Sequence, residues 1–207
     1  HHLVDKKCLP HLKIDKFPHL LIDPSTLECE EFINCKKYIV LDIGCGEGEF
    51  ILDLATNNPR KTFIGLEIKY GRMVKCLKKT KSSGLSNIRF ILGDASILIN
   101  EVLPKYSLNK VFINNPDPWP KDKHRNNRII NSMLLNSLFL CMKRKGCLYI
   151  KTDSREYYKE IKNQLKQTKF RFELDNSLFD KSLPSTKFQE LYKKNKKKIF
   201  SIKLTKR

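Results

Sequence analysis

Short apolar runs alternate with segments of helical periodicity from residue 38 onward. The first run, residues 38–43, ends at a glycine-rich turn, and apolar residues then recur at helical spacing over residues 49–57. Runs of this length without polar alternation are typical of strands buried on both faces, and strands that alternate with helices pair in parallel. The pattern therefore predicts a doubly wound α/β fold.

The alternation continues to the C-terminus, whereas the first 36 residues lack clean periodicity and contain three prolines. We expect an N-terminal arm over residues 1–36 and one domain over residues 37–207. Within the domain, further strands are predicted over residues 62–67, 88–92, 110–114, 147–152, 171–174 and 199–204. Helices are predicted over residues 70–81, 96–103, 126–143 and 155–167.

The chain has a formal net charge of +19, from 41 Lys and Arg against 22 Asp and Glu. This excess attracts polyanions, so nucleic acid is the first partner to consider, although a compositional bias explains the charge equally well. The seven cysteines form neither a Cys-x-x-Cys pair nor a zinc-like set, and we expect no metal and a cytoplasmic setting. No run approaches the ~18–20 apolar residues that a bilayer crossing requires, so no membrane association is expected.

Glycines and acids are concentrated where predicted strands end. Gly44, Gly46 and Gly48 form a G-x-G-x-G loop, whose small residues let backbone N–H groups approach a ligand. The loop departs from the dinucleotide fingerprint G-x-G-x-x-G at Glu49. Acidic residues stand at three successive strand ends: Asp42, Glu67 and Asp94.

Each of these acids by itself could be a helix cap or a solvated turn residue. Three carboxylates around one glycine loop suit a ligand with a positive charge, an amino group and a ribose better than they suit an anionic pyrophosphate. Glu67 also follows the loop at close to the ~20 residues at which an acid meets ribose hydroxyls in this architecture. S-Adenosylmethionine has all three features, and we expect it as the cofactor.

Six short segments follow one another along the chain: DIGCGEG at 42–48, GLE at 65–67, GDA at 93–95, NPDPWPK at 115–121, KTD at 151–153 and TKF at 186–188. In this order they resemble the motifs of the bacterial-type tRNA (guanine-N7)-methyltransferase family, and NPDPWPK is the most discriminating of them. The resemblance implies a Rossmann-like class I methyltransferase fold: a mostly parallel seven-stranded sheet with helices on both faces and an antiparallel C-terminal strand. It also implies S-adenosylmethionine as donor, and guanine 46 in the variable loop of tRNA as acceptor. We expect a monomer or homodimer.

The resemblance also implies roles for individual residues. Asp117 is the implied catalytic residue. Cofactor contacts are implied for Asp42, Gly44, Gly46, Gly48, Glu67, Asp94, Ala95, Asn115 and Asp117. Substrate contacts are implied for Lys121, Asp153, Thr186, Lys187, Phe188 and Gln189, and we add His124 and Arg128 because they belong to a basic stretch suited to phosphate contacts. The chain departs from the family pattern at Asn115, which replaces an aromatic residue, at Gln189, which replaces Glu, and at Lys123, Asn126 and Asn127, which thin the basic run.

Methyl transfer to guanine N7 requires no base, because N7 carries an exposed lone pair, so positioning should dominate. A carboxylate at Asp117, held between two prolines, could stabilise the developing positive charge or hold the guanine edge. Two structural alternatives remain open. Residues 116–120 could be a rigid turn with Trp119 as a core plug, and Asp153 could be a helix N-cap with Glu156 three residues later.

Two other functions also remain open. An amino-group RNA methyltransferase is one, because residues 115–119 loosely resemble the Asn-Pro-Pro-aromatic loop of adenine-modifying enzymes. The other is a non-catalytic RNA-binding protein that keeps the methyltransferase fold, which Gln189 and the thinned basic run would favour.

Overall fold

The structure is a computed structural model that describes residues 17–24, 27–174, 183 and 198–207. Its strands are β1 (Ile39–Ile43), β2 (Thr62–Glu67), β3 (Ile88–Leu92), β4 (Leu108–Asn114), β5 (Met142–Thr152), β6 (Arg171–Leu174) and β7 (Phe200–Thr205). Its helices are α1 (Leu27–Asn34), α2 (Glu49–Asn57), α3 (Tyr70–Ser83), α4 (Ala95–Ile97), α5 (Ser132–Cys141) and α6 (Arg155–Leu165). A π-helical turn, Leu98–Val102, continues α4, and a 3₁₀ helix, Asp122–Asn127, precedes α5.

The seven strands form one sheet in the order β3-β2-β1-β4-β5-β7-β6. Strands β1 to β5 pair in parallel, and β7 pairs antiparallel with both β5 and β6. The structure therefore confirms the predicted sheet and its antiparallel C-terminal strand.

Hydrophobic cores cover both faces of the sheet, and β1 shows how the sequence supplies them. Its residues alternate between the two cores: Leu41 joins the core that includes α5 and α6, whereas Val40 joins the core that includes α2 and α3. All five β1 residues are buried, which accounts for the uninterrupted apolar run. Helices lie on both faces, as predicted.

The helix predicted over residues 126–143 is shorter in the structure. Asn131 caps α5 with its side chain, which accepts a hydrogen bond from the backbone N–H of Leu134 at 2.9 Å. The preceding residues form the 3₁₀ helix, and β5 already begins at Met142. The predicted start was wrong because polar residues before the cap were read as helical surface, and the predicted end was wrong because residues 142 and 143 belong to β5.

The described part of the N-terminal arm packs on the domain. Residues flanking Leu21 extend the edge of the sheet, since Ile22 N–H donates to the Phe90 carbonyl and Phe90 N–H donates to the Leu20 carbonyl, both at 2.8 Å. Helix α1, which the sequence analysis did not predict, buries Cys29 and Ile33 in the core. The domain boundary after residue 36 stays a prediction.

None of the described helices combines the length and the apolar character that a membrane crossing requires.

Candidate active site

The carboxyl ends of β1, β2, β3 and β4 meet at one edge of the sheet, where the sequence analysis places the site. In the register, Asp42 of β1 lies beside Gly65 of β2 on one side and Phe112 of β4 on the other. Glu67 ends β2 opposite Leu92 of β3. Parallel pairing thus brings Asp42 and Glu67 to neighbouring strand ends.

The glycine loop after β1 has a backbone that only glycine adopts without strain. Gly44, Gly46 and Gly48 all have positive φ angles, of 72°, 62° and 87°. The N–H groups of Gly44 and Cys45 both donate to the Leu66 carbonyl, at 2.8 and 3.0 Å, and so fix the loop against β2. The sheet itself therefore determines the shape of the loop.

Asp42 is a buried carboxylate with an unmet bonding requirement. The residue is 2% exposed, and Oδ1 has no hydrogen-bond partner among the described residues. Burial, with a smaller contribution from the negative charge of Glu67, raises the pKa of Asp42 to about 7. A bound cation or N–H donor at Oδ1 would offset this cost.

Glu67 is 4% exposed and holds the loop through both carboxylate oxygens. Oε2 accepts from Gly46 N–H at 3.0 Å, and Oε1 accepts from Lys69 N–H at 2.8 Å. An ionised carboxylate has about four acceptor positions, so each oxygen can accept one more hydrogen bond. Glu67 therefore shapes the loop and can still bind hydroxyl groups.

Asp94 caps α4. Its Oδ1 accepts from the N–H groups of Ser96 and Ile97, at 2.7 and 3.3 Å, and Ala95 begins the helix as a buried residue. The structure thus assigns Asp94 the capping role that the sequence left open. Cofactor contacts by Asp94 and Ala95 stay predictions.

Two asparagines at the end of β4 carry the other buried polar atoms of this edge that lack a hydrogen-bond partner among the described residues. Asn114 Nδ2, Asn115 Nδ2 and Asn115 Oδ1 are buried, and none of them has a hydrogen-bond partner among the described residues. Asn115 also has a φ of 49°. Asn114 was missed in the sequence analysis, although an amide that ends an otherwise apolar strand was an available signal.

The buried polar atoms without hydrogen-bond partners show whether this edge of the sheet fits the expected cofactor. Every buried side-chain polar atom without a partner in the described chain belongs to Asp42, Asn114 or Asn115, at the ends of adjacent strands β1 and β4. Each such atom costs about 1–3 kcal/mol if nothing binds it. The set combines a carboxylate with amide donors and an amide acceptor, so it fits a ligand group that carries both an ammonium and a carboxylate.

Asp117 lies in an exposed loop beyond β4, residues 115–121, which we call the Asp117 loop. Its Oδ1 accepts from Trp119 N–H at 3.1 Å, which closes a small turn around Pro118. Trp119 is half-buried, has a φ of 40°, and lies beside His124 with ring centroids 5.6 Å apart. Trp119 is therefore part of the loop surface, with His124, and is not a core plug.

Arg128 is buried, whereas the expected phosphate contact would need an exposed side chain. Its side chain is 1% exposed, and it binds the Asp117 loop from behind. Nε donates to the Pro118 carbonyl at 2.7 Å, and Nη2 donates to the Trp119 carbonyl at 3.3 Å.

The same guanidinium reaches α6 on its other side. Nη2 also donates to Glu156 Oε1 at 3.0 Å, Nη1 donates to Glu160, and the group lies over the Tyr157 ring at 5.1 Å. Four polar contacts leave little capacity for an RNA phosphate. We call this arrangement the Arg128 clasp. Because it buries the guanidinium, Arg128 does not offer the exposed phosphate contact that the sequence analysis expected.

Asp153 follows β5 without a capping role. Ser154 caps α6 instead, because its Oγ accepts from Tyr157 N–H at 3.2 Å. Asp153 is half-buried next to this cap, and Lys121 is exposed at the end of the Asp117 loop. Thr186, Lys187, Phe188 and Gln189 lie outside the described residues. Among the residues that are described, no cluster of three or more His, Cys, Asp or Glu side chains could hold a metal ion.

Comparison with known proteins places this geometry in a family. The family model described as "Putative methyltransferase" matches residues 36–202. A protein of Nitrosococcus oceani, named tRNA (guanine-N(7)-)-methyltransferase, is 35% identical over 186 residues, which cover 89% of this chain and 77% of that protein. The chain belongs to the tRNA (guanine-N7)-methyltransferase family. The resemblance inferred from the motifs is thereby confirmed.

Members of the family differ in length. A Thermotoga maritima protein with the same name is 33% identical over 194 residues, and the match spans 92% of this chain but 59% of that protein. Among solved structures, 16S rRNA methyltransferase KamB has a TM-score of 0.64 at 14% identity, covering 87% of this chain and 93% of that one. A 30S ribosomal A1408 methyltransferase from an uncultured bacterium has a TM-score of 0.60 at 20% identity, covering 90% and 95%. These two structures support the class I methyltransferase fold.

Proposed function

We propose that this chain transfers a methyl group from S-adenosylmethionine to N7 of guanine in tRNA, at position 46 of the variable loop. The observation that carries the proposal is the set of unmet polar atoms of Asp42, Asn114 and Asn115, beside a glycine loop, in a chain of this family. The cytoplasmic setting stays a prediction.

Different residues at the sheet edge would contact different groups of the donor. Asp42 Oδ1 would accept from its ammonium group, and the amides of Asn114 and Asn115 would pair with the remaining polar atoms of its amino-acid end, because these buried atoms have no partner among the described residues. Glu67, already fixed by Gly46 and Lys69, would accept from the ribose hydroxyls through its unused lone pairs. When bound, S-adenosylmethionine supplies an electrophilic methyl group on a positively charged sulfur.

The Asp117 loop receives the acceptor base. Guanine N7 needs no deprotonation, so the chain has to orient the purine in line with the methyl group, and orientation can contribute ~7–11 kcal/mol. The Asp117 carboxylate is exposed, and the turn fixes one of its oxygens on Trp119 N–H. It can hold the guanine edge and offset the positive charge that develops on the ring.

The direct test is a methylation assay with the full chain, unmodified tRNA transcript and donor labelled in its methyl group. We expect label in 7-methylguanosine on nucleoside analysis, and loss of label when guanine 46 of the transcript is replaced by adenine. Label in an amino-methylated nucleoside would favour the amino-group alternative. Absence of label in a sample that binds both donor and tRNA would favour the non-catalytic alternative.

A further inference from the structure

Charge on helix α6 is separated onto two sides. The acids Glu156 and Glu160 are four residues apart, and the cations Arg155, Lys159 and Lys162 follow one another at spacings of four and three. Residues at these spacings lie on one side of a helix, so the acids form one row and the cations another. Tyr157, Tyr158, Ile161 and Leu165 form the buried side between them.

The acidic row is neutralised from within the fold. Both of its carboxylates bind Arg128, and Glu156 also accepts from Arg125 Nη2 at 2.8 Å. None of the α6 cations forms an ion pair with a carboxylate of the described chain. Arg128 and Arg125 together thus balance the two negative charges of α6, whereas its cations have no carboxylate partner among the described residues.

The cations of α6 line a cleft between α6 and β7. The cleft has a volume of about 320 Å³, and we call it the α6 cleft. Its floor is the stacked pair Tyr158 and Phe200, whose ring centroids are 4.7 Å apart. Its cationic lining consists of Arg155, Lys159, Lys162 and Lys198, and no carboxylate of the described residues lines it.

The two rings of the aromatic floor contact lysine ammonium groups and are too buried to stack with a nucleotide base. Lys162 Nζ lies 5.3 Å from the Tyr158 ring centre, and Lys198 Nζ lies 5.0 Å from that of Phe200. Both rings are more than nine-tenths buried. A nucleotide base therefore has little surface on which to stack, whereas an anionic group meets cations from two elements.

The α6 cleft adjoins the acceptor side of the site. Phe200 pairs with Thr152, which immediately precedes Asp153, and α6 begins two residues after Asp153. An RNA strand whose guanine reaches Asp117 would leave the sheet edge past this point. Because backbone phosphates carry one charge per nucleotide, they match a row of cations with no aromatic platform.

We propose that the α6 cleft binds backbone phosphates of the tRNA next to the methylated nucleotide, without reading base identity. The inference rests on the proposed function, since it takes tRNA as the substrate. It predicts that the cleft contributes to tRNA affinity and to its dependence on salt, but not to donor binding.

The test compares two variants with the same loss of charge. The cleft variant carries Arg155→Gln, Lys159→Gln and Lys162→Gln. The control variant carries Arg144→Gln, Lys37→Gln and Lys105→Gln, three exposed cations near the amino ends of the strands, away from the site. Binding of unmodified tRNA is measured for both variants and for the unsubstituted chain at several salt concentrations, with donor affinity and melting temperature as checks on folding.

We expect the cleft variant to bind tRNA on the order of tenfold to hundredfold more weakly than the control at ~0.15 M salt. Its slope of log affinity against log salt should fall by ~2–3, or ~1 for each cation lost. KM for tRNA should rise with kcat within about twofold of the control, since the Asp117 loop still orients the guanine. Replacement of Arg155 by Lys should keep most of the affinity.

Equal affinities and equal slopes in the two triple variants would overturn the proposal, provided that both bind the donor normally. This outcome is separable from failure of the proposed function. A chain that binds tRNA through the cleft but never methylates it would refute the proposed reaction and leave the cleft assignment standing. A chain that methylates tRNA with no effect of the cleft substitutions would do the reverse.

Discussion

The two halves of the site are held by different means. At the donor edge, Asp42 and Glu67 are 2% and 4% exposed, and the loop beside them is fixed by backbone hydrogen bonds to β2. The Asp117 loop is exposed, and the buried side chain of Arg128 binds two of its carbonyls. The donor edge is therefore a property of the sheet, whereas the acceptor loop depends on one guanidinium that links it to α6.

The largest effect should come from the acceptor loop itself. Asp117→Ala is expected to lower kcat by about 100- to 1,000-fold, because an electrostatic contact to the reacting base is lost. Asp117→Asn is the matched control, because its amide oxygen can still accept from Trp119 N–H and keep the turn. Single-turnover methylation of saturating tRNA is the measurement. If Asn retains full activity, the charge of Asp117 has no role and the carboxylate acts only by position.

Asp42→Asn tests the donor edge. Loss of a charged partner for the ammonium group should weaken S-adenosylmethionine binding by ~10- to 100-fold, from ~1.5–3 kcal/mol, with tRNA affinity unchanged. Titration calorimetry measures both affinities. An unchanged donor affinity would contradict the role assigned to Oδ1.

The same residue predicts a pH dependence with a definite sign. Burial raises the pKa of Asp42 from 3.8 to about 7, so between these values the folded chain holds a proton that the unfolded chain has lost. The free energy of unfolding should therefore fall as pH rises from about 4 to 7, by ~1.4 kcal/mol for each pKa unit at most, and Asp42→Asn should remove this dependence.

Donor binding should tighten over the upper part of the range, with proton release on binding. Denaturant unfolding of the unsubstituted chain and of Asp42→Asn between pH 4 and 8 measures the first effect, and a stability difference between the two chains that does not change with pH would contradict it.

Arg128→Lys would break the link between the halves. A lysine cannot reach both loop carbonyls and both α6 carboxylates, because it lacks the planar fork of arginine. We expect kcat to fall about tenfold or more, with donor affinity within about twofold of normal, and stability to fall by ~1–3 kcal/mol. Equal losses in kcat and in donor affinity would indicate general loosening of the fold and would argue against a positioning role.

The smallest effect is expected at Lys121. This residue is exposed at the end of the Asp117 loop, so Lys121→Ala should weaken tRNA binding several-fold and reduce the salt slope by ~1, with little change in kcat at saturation. Lys105→Ala, near the amino ends of the strands and away from the site, is the control. A slope equal to that of the control would exclude a phosphate contact by Lys121.

Local patterns predicted most of the domain. Strand β1 begins one residue after its predicted start, and α2, β2, β3 and β6 match their predicted bounds. The predictions of secondary structure were wrong where tertiary contacts outweigh the local pattern of apolar and polar residues. Helix α1 lies in a proline-bearing stretch and is stabilised by burial of Cys29 and Ile33, a contact that its own eight residues do not reveal. The helix predicted over residues 126–143 begins only after Asn131, whose side chain caps α5.

By itself, the sequence determined the parallel sheet, the turn with three glycines and the acids at successive strand ends. These follow from periodicity and from the rule that parallel strands present their carboxyl ends at one edge. The tertiary structure alone decided which polar atoms lack partners and what Arg128 binds. The two α6 carboxylates that Arg128 binds lie 28 and 32 residues further along the chain, and Asp42 Oδ1 is buried with no hydrogen-bond partner among the described residues. Burial and long-range pairing are properties of the packed chain, and no local pattern of residues encodes them.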